Sequence, residues 1–165
     1  MKHILSALVL NKPGVLAHVA GMFAARAFNI DSLAVGRTDD PTLSRMTIVV
    51  IGDDRVVEQV RKQLAKIVTI VKVQDYVGQD VVARDLMLIS VTCPAEKRPE
   101  LWALVEMFGA KVVDIGTKYV MVEVSGPESK IEAFIDACRP YGVKNMVRTG
   151  TVAMARQTRT LKAEE

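Results

Sequence analysis

The sequence predicts an α+β fold in which one βαββαβ pattern occurs twice, and three observations predict it. Apolar residues alternate in short runs such as His3–Leu10, Met46–Ile51 and Leu86–Cys93, then switch to helical spacing over Val15–Ala27 and Pro99–Phe108. The order strand, helix, strand, strand, helix, strand occurs before Val77 and again after Ala83. Half of the 165 residues are hydrophobic, ample for a core in one domain or in two small ones. The architecture expected is therefore two ferredoxin-like domains in tandem. Their bounds read as 1–76 and 84–155, with 77–83 as linker and 156–165 as a flexible tail.

Each element has its own reason. In His3–Leu10, Leu5, Ala7 and Val9 point one way, while Ile4, Ser6, Leu8 and Leu10 point the other. Both faces are apolar enough to need cover. Val15, Leu16, Val19, Ala20, Phe23, Ala24 and Ala27 read as one buried helical stripe, and Asn29 suits the left-handed position that often ends a helix. Ile30–Thr38 reads as a strand, and the polar stretch from Thr38 to Arg45 as a turn with Asp-Pro punctuation. Met46–Ile51 is a β-branched strand. Asp53 or Asp54 caps a second helix striped by Val56, Val57, Val60, Leu64 and Ile67, and Ile67–Val73 is the fourth strand. In the second half, Lys111–Ile115 and Tyr119–Val124 read as a hairpin. A helix after Gly126 buries Ile131, Phe134 and Ile135, and Val143–Val152 closes the sheet.

Composition narrows the functional classes. A net charge of +3, scattered along the chain, does not suggest nucleic acid or a membrane surface. No leader pattern precedes the first strand, and no apolar run reaches the roughly 18 residues that span a bilayer. Cys93 and Cys138 lack metal or redox spacing and read as buried thiols of a cytoplasmic protein. His3 and His18 read as packing or surface residues. No nucleophile elbow, Cys-His cue or zinc spacing is present, and turn capping accounts for Asp39 and Asp40. The catalytic set is therefore none. Base-stacking aromatics are missing from Met46–Ile51, which argues against RNA, and a Cys-x-x-Cys loop for copper is missing too.

The stretch that remains is Asn11-Lys12-Pro13-Gly14-Val15-Leu16, between the first strand and the first helix. Proline suits a helix start, glycine permits unusual backbone angles, and Asn11 adds an amide and a carbonyl. Free N–H groups at the positive end of a helix would suit a small carboxylate. The same residues also make an ordinary turn. The second half has no such junction, which argues against a matching ligand seat there.

Beyond that junction, two further runs carry a resemblance: Phe28-Asn29-Ile30-Asp31-Ser32-Leu33 and Thr38-Asp39-Asp40-Pro41-Thr42-Leu43-Ser44-Arg45-Met46-Thr47. The first half resembles an ACT domain, an amino-acid-sensing module. Residues 1 to about 155 together resemble the regulatory small subunits of acetohydroxyacid (acetolactate) synthase, less strongly after the linker. The resemblance implies a non-catalytic subunit that activates a catalytic large subunit and confers feedback inhibition by valine or a related branched-chain amino acid. It implies a homodimer through the ACT domain. No cofactor is expected in this chain; thiamine diphosphate, Mg and FAD are expected on the large subunit. Effector-binding residues carried over are Asn11, Lys12, Pro13, Gly14, Val15 and Leu16 of one protomer, facing Asn29 and Ile30 of a neighbour. Arg45 reads as a solvated strand residue or a partner contact. A stand-alone ACT-type sensor acting on a different partner is the alternative.

Overall fold

The computed structural model describes residues 1–156. Its first six elements are β1 (Lys2–Leu10), α1 (Val15–Ala24), β2 (Ile30–Arg37), β3 (Leu43–Ile51), α2 (Asp54–Leu64) and β4 (Ile70–Asp75). The next seven are β5 (Val81–Thr92), α3 (Arg98–Met107), β6 (Lys111–Ile115), β7 (Tyr119–Gly126), α4 (Glu128–Cys138), β8 (Val143–Arg148) and β9 (Val152–Ala155). The strands form two antiparallel sheets, ordered β2-β3-β1-β4 and β6-β7-β5-β8, with β9 also paired to β5. The predicted α+β class and the repeated βαββαβ order are thus both present. Two compact units result: Met1–Val82 with the segment from Ala153, and Ala83–Val152.

In the first unit the register aligns Leu5 with Ile48 and Ala7 with Met46, so these side chains share a face. They meet Val15, Val19 and Phe23 of α1 and Val57, Val60 and Leu64 of α2 in one core. Both helices therefore lie on the same side of the sheet. On the opposite side Ser6, Thr47 and Val49 are also buried, and Arg45 Nη1 donates to Ser6 Oγ at 2.9 Å. Arg45 itself stays exposed, consistent with a solvated strand residue. In the second unit Met87, Ile89 and Val91 of β5 pack with Leu101, Val122, Ile131 and Phe134. Arg148 on β8 donates to Asp85 Oδ2 through Nε at 2.8 Å and to Glu132 Oε1 at 2.6 Å. That pairing ties β5, β8 and α4, and leaves the buried Asp85 carboxylate compensated. Cys93 and Cys138 are buried thiols, as the spacing suggested; burial alone pushes Cys138 up to about 11.

The two helix starts of the first unit differ. Asp53 caps α2, its Oδ1 accepting from the Val56 N–H at 2.8 Å, and Asp54 adds negative charge in the first turn. α1 starts at Gly14 with no side-chain cap and no acidic residue in its first turn.

Several boundaries differ from the sequence reading. α1 stops at Ala24, and the left-handed residue after it is Ala27 (φ 54°), not Asn29. The Phe28 N–H bonds the Phe23 carbonyl at 3.0 Å and the Ala27 N–H the Ala24 carbonyl at 3.1 Å, a Schellman closure. The Phe23 and Phe28 rings meet edge-on at 6.4 Å and hold it shut. Asn29 is thereby released from capping. The turn after β2 is shorter than expected, because Leu43, Ser44 and Arg45 already pair with Leu10, Val9 and Leu8 of β1. β4 starts at Ile70, after a turn in which the Ile70 N–H bonds the Ile67 carbonyl. The stretch 77–83 is a tight turn around Gly78 (φ 71°), followed by Val81–Ala83 inside β5. Val143–Val152 is split into β8 and β9 by a break at 149–151. Arg156 is tied by its N–H to the Asp80 carbonyl at 2.8 Å, and the rest of the expected tail, 157–165, lies outside the described residues.

Ala27 is exposed yet holds a conformation that costs an L-residue about 1–2 kcal/mol. Ala27→Gly should therefore stabilise the chain by about 1 kcal/mol, raising the melting temperature by about 2–4 °C in a calorimetric scan. An unchanged or lower midpoint would show that the strain is not borne there.

Candidate functional site

The site is built where β1 hands over to α1. The Lys12 N–H turns back onto the Leu10 carbonyl at 3.0 Å, and Pro13 then leads into Gly14 at φ 82°, ψ −13°. Such a φ favours glycine, and the space where a Cβ would sit is open to 4 Å. Backbone conformation, not crowding, is what demands glycine here. The first hydrogen bond of the helix runs from the His18 N–H to the Gly14 carbonyl at 2.9 Å, and the Val15 N–H makes only a 3.5 Å bond to the Lys12 carbonyl. Among the described residues, the N–H groups of Gly14, Leu16 and Ala17 find no acceptor. An uncapped first turn with outward donors is an anion-accepting corner.

Asn11 stands beside it and is anchored. Its backbone N–H donates to the Thr42 carbonyl at 2.7 Å, and its Nδ2 donates to the Pro41 carbonyl at 2.9 Å. Asn11 Oδ1 takes no hydrogen bond among the described residues and is left as an acceptor. The β2–β3 turn thus enters the site, which sequence reasoning missed for Pro41 and Thr42. Asp40 shapes that turn: its Oδ1 accepts from the Thr42 N–H at 2.8 Å and from Thr42 Oγ1 at 2.6 Å. Those bonds, the hydroxyl's foremost, hold its carboxyl below the usual range, in keeping with a turn-capping role. Lys12 and Pro13 are exposed, Val15 is buried in the core, and Leu16 presents its side chain to solvent at 45% exposure. His18, one turn on, is exposed, whereas His3 is a buried packing residue near Asp54.

Asn29 and Ile30 are not brought to this corner within one chain. They lie past the far end of α1, a ten-residue helix about 15 Å long. The register says the same: Ile30 aligns with Val50, while Leu10 aligns with Leu43 at the other end of β3. Those positions on β3 are about 23 Å apart at about 3.3 Å per residue. Asn29 is exposed and makes no hydrogen bond among the described residues; Ile30 is half-buried. They sit at the start of β2, which is an edge strand of its sheet.

In the second unit the equivalent junction is tied to the β6–β7 turn by an arginine side chain. Its strand-to-helix junction carries Pro94 and a short 3₁₀ turn over Ala95–Lys97. Arg98 Nη2 donates to the Gly116 carbonyl in the β6–β7 turn at 2.7 Å. Gly116 is needed there because a Cβ would fall 2.1 Å from the Tyr119 ring. Tyr119 in turn donates to Asp114 at 2.9 Å.

Comparison with known proteins bears on this geometry. A family model described as the AHAS small subunit-like ACT domain matches residues 5–72, and one described as the small subunit of acetolactate synthase matches residues 84–157. The chain is 53% identical over 156 residues to a probable acetolactate synthase small subunit of Archaeoglobus fulgidus, covering 94% of this chain and 98% of the relative. It is 42% identical to the acetolactate synthase small subunit of Bacillus subtilis, covering 96% of this chain and 92% of the relative. The crystal structure of the acetolactate synthase small subunit from Thermotoga maritima superposes with a TM-score of 0.88 at 42% identity, covering 95% and 98% of the two chains.

The Asn11 anchor yields a direct test. Asn11→Ala removes the Nδ2 bond to Pro41 and should cost about 1 kcal/mol. Amide exchange at Thr42 and Leu43 should quicken before that of the β1–β3 core; uniform exchange across the unit would contradict the anchoring role.

Proposed function

We propose that this chain, which belongs to the family of acetolactate synthase small subunits, is the regulatory subunit of that enzyme. In this reading it performs no chemistry itself. It activates a separate catalytic large subunit and makes that subunit sensitive to valine. The carbon-joining chemistry, with thiamine diphosphate, Mg and FAD, belongs to the large subunit, in the cytoplasm.

The observation that carries the reading is the contrast between the two helix starts of the first unit. α2 is capped by Asp53. α1, whose start adjoins Asn11 and Gly14, forgoes a side-chain cap, at a cost of a few tenths of a kcal/mol for glycine in place of a capping residue. Its donors are then available to a carboxylate, and hydrogen bonds to a charged group contribute about 1.5–3 kcal/mol each. Valine supplies that carboxylate. Its ammonium finds Asn11 Oδ1, and its isopropyl group rests on Leu16. Asn29 and Ile30 complete the seat from a neighbour.

A two-fold pairing of β2 edges suits this arrangement. Two antiparallel copies of β2 set the Ile30 end of one protomer beside the Arg37 end of the other. Arg37 aligns with Ser44, one step from the Leu43–Leu10 pair that leads to Asn11. The separation of about 23 Å within one chain is thereby closed by symmetry. A ligand held across that boundary favours one dimer geometry over another, and differential binding of this kind supplies the 1–3 kcal/mol typical of allosteric coupling. Discrimination among valine, leucine and isoleucine is limited to about 1–3 kcal/mol per methylene.

Two substitutions test the proposal. Gly14→Asp places a carboxylate where the effector's would lie and forces an L-residue to φ 82°. Titration calorimetry should then detect no valine binding, and intact binding would refute the seat. Asn29→Ala should weaken valine binding while the reconstituted holoenzyme keeps its stimulated rate. Loss of stimulation would instead tie Asn29 to the catalytic subunit. Co-purification with a thiamine-dependent synthase separates this function from a stand-alone sensor.

A further inference from the structure

The outward face of α1 is unusual for a helix that meets solvent. Val15–Ala24 contains no Asp, Glu, Lys or Arg, whereas α2 beside it carries Asp54, Arg55, Glu58, Arg61 and Lys62. A surface helix ordinarily puts charge on its open side. Here the open side is Leu16, Ala17, His18, Ala20 and Gly21. Between α1 and the end of α2 runs a groove of about 550 Å³, floored by the buried Met22 and Ile67 and flanked by Ala17 and Gly21. At its rim Val68 is 94% exposed.

The charge around this groove has one sign. Arg26 and Lys66 line it, and no carboxylate does. Arg26 is held in place by neutral partners: its Nη2 donates to Gln63 Oε1 at 3.0 Å and its Nη1 to the Met22 carbonyl at 3.4 Å. Among the described residues its positive charge meets no acid. Small side chains let another backbone approach closely, and an apolar floor with a cationic rim is complementary to an acidic segment bearing one apolar side chain.

We propose that the α1–α2 groove is a docking surface for an acidic segment of the catalytic large subunit. The proposal rests on the regulatory reading above and adds to it the place on this chain where the partner is gripped. The segment seats an apolar residue beside Gly21 and Val68, and its carboxylates pair with Arg26 and Lys66. The groove starts one turn beyond Gly14, so the same helix faces the effector at its first turn and the partner along its flank.

The test measures association of the full chain with the purified large subunit by surface plasmon resonance. Gly21 has open space where a Cβ would go and ordinary helical backbone, so Gly21→Glu folds and sets a carboxylate in the groove. Gly21→Glu and Lys66→Glu should each weaken association about ten-fold or more, and Lys66→Arg should retain it. Wild-type association should slow as salt rises. Valine calorimetry of the isolated variants should match wild type, and their thermal melts should show no loss of stability, Gly21→Glu melting at or above wild type, which separates docking from the effector seat and from folding. Unchanged association of both glutamate variants overturns the proposal and leaves the regulatory function standing. Dissociation of the isolated variants into smaller species on sedimentation would assign the groove to a second copy and overturn it too. Wild-type chain that does not bind the large subunit at all would overturn the functional reading, and the docking surface with it.

Discussion

The first unit depends on one backbone choice: Gly14 at φ 82°, directly before α1. That conformation swings the chain out of β1 and starts the helix without a side chain to close its end. Everything the site can do follows from donors left unused at that point. Elsewhere in the same unit the chain closes such ends readily, with Asp53 on α2 and with the Phe23–Phe28 ring contact at the end of α1. Within this unit the open start of α1 contrasts with the capped start of α2, and an unclosed helix start is a place where an anion can bind.

Sheet geometry supplies the second constraint. Asn11 is anchored at one end of β3 and Ile30 at the other, and the pleat sets the distance between them. No side-chain rearrangement within one chain spans it. In the second unit the corresponding tie from junction to turn comes from Arg98 instead of an asparagine.

The fold was largely legible in the sequence because its core follows strict periodicity. Leu5, Ala7 and Val9 on β1 and Val57, Val60 and Leu64 on α2 announce their buried faces by spacing alone. Asn11 and Gly14 were legible as a junction for the same local reason. What escaped was nonlocal or depended on competition between neighbours. Asn29 was a better left-handed residue than Ala27 by propensity, but the Phe23–Phe28 contact set the closure two residues earlier. The tie from Asn11 to Pro41 joins residues 30 apart, so no window of sequence contains it. Its only trace was the unusual run from Thr38 to Thr47. Val81–Ala83 read as linker because glycine and polar residues precede them, yet pairing with β9 draws strand character back to Val81.

The distance between Gly14 and Asn29 has a last consequence. If neither chain holds a whole binding site, then dilution below the self-association threshold dismantles every site at once. The amount of this protein in the cell then becomes an input in its own right. Under the proposed two-protomer seat, a cell making little of it would be deaf to the effector at any level, and one making more would acquire the response without altering a single residue.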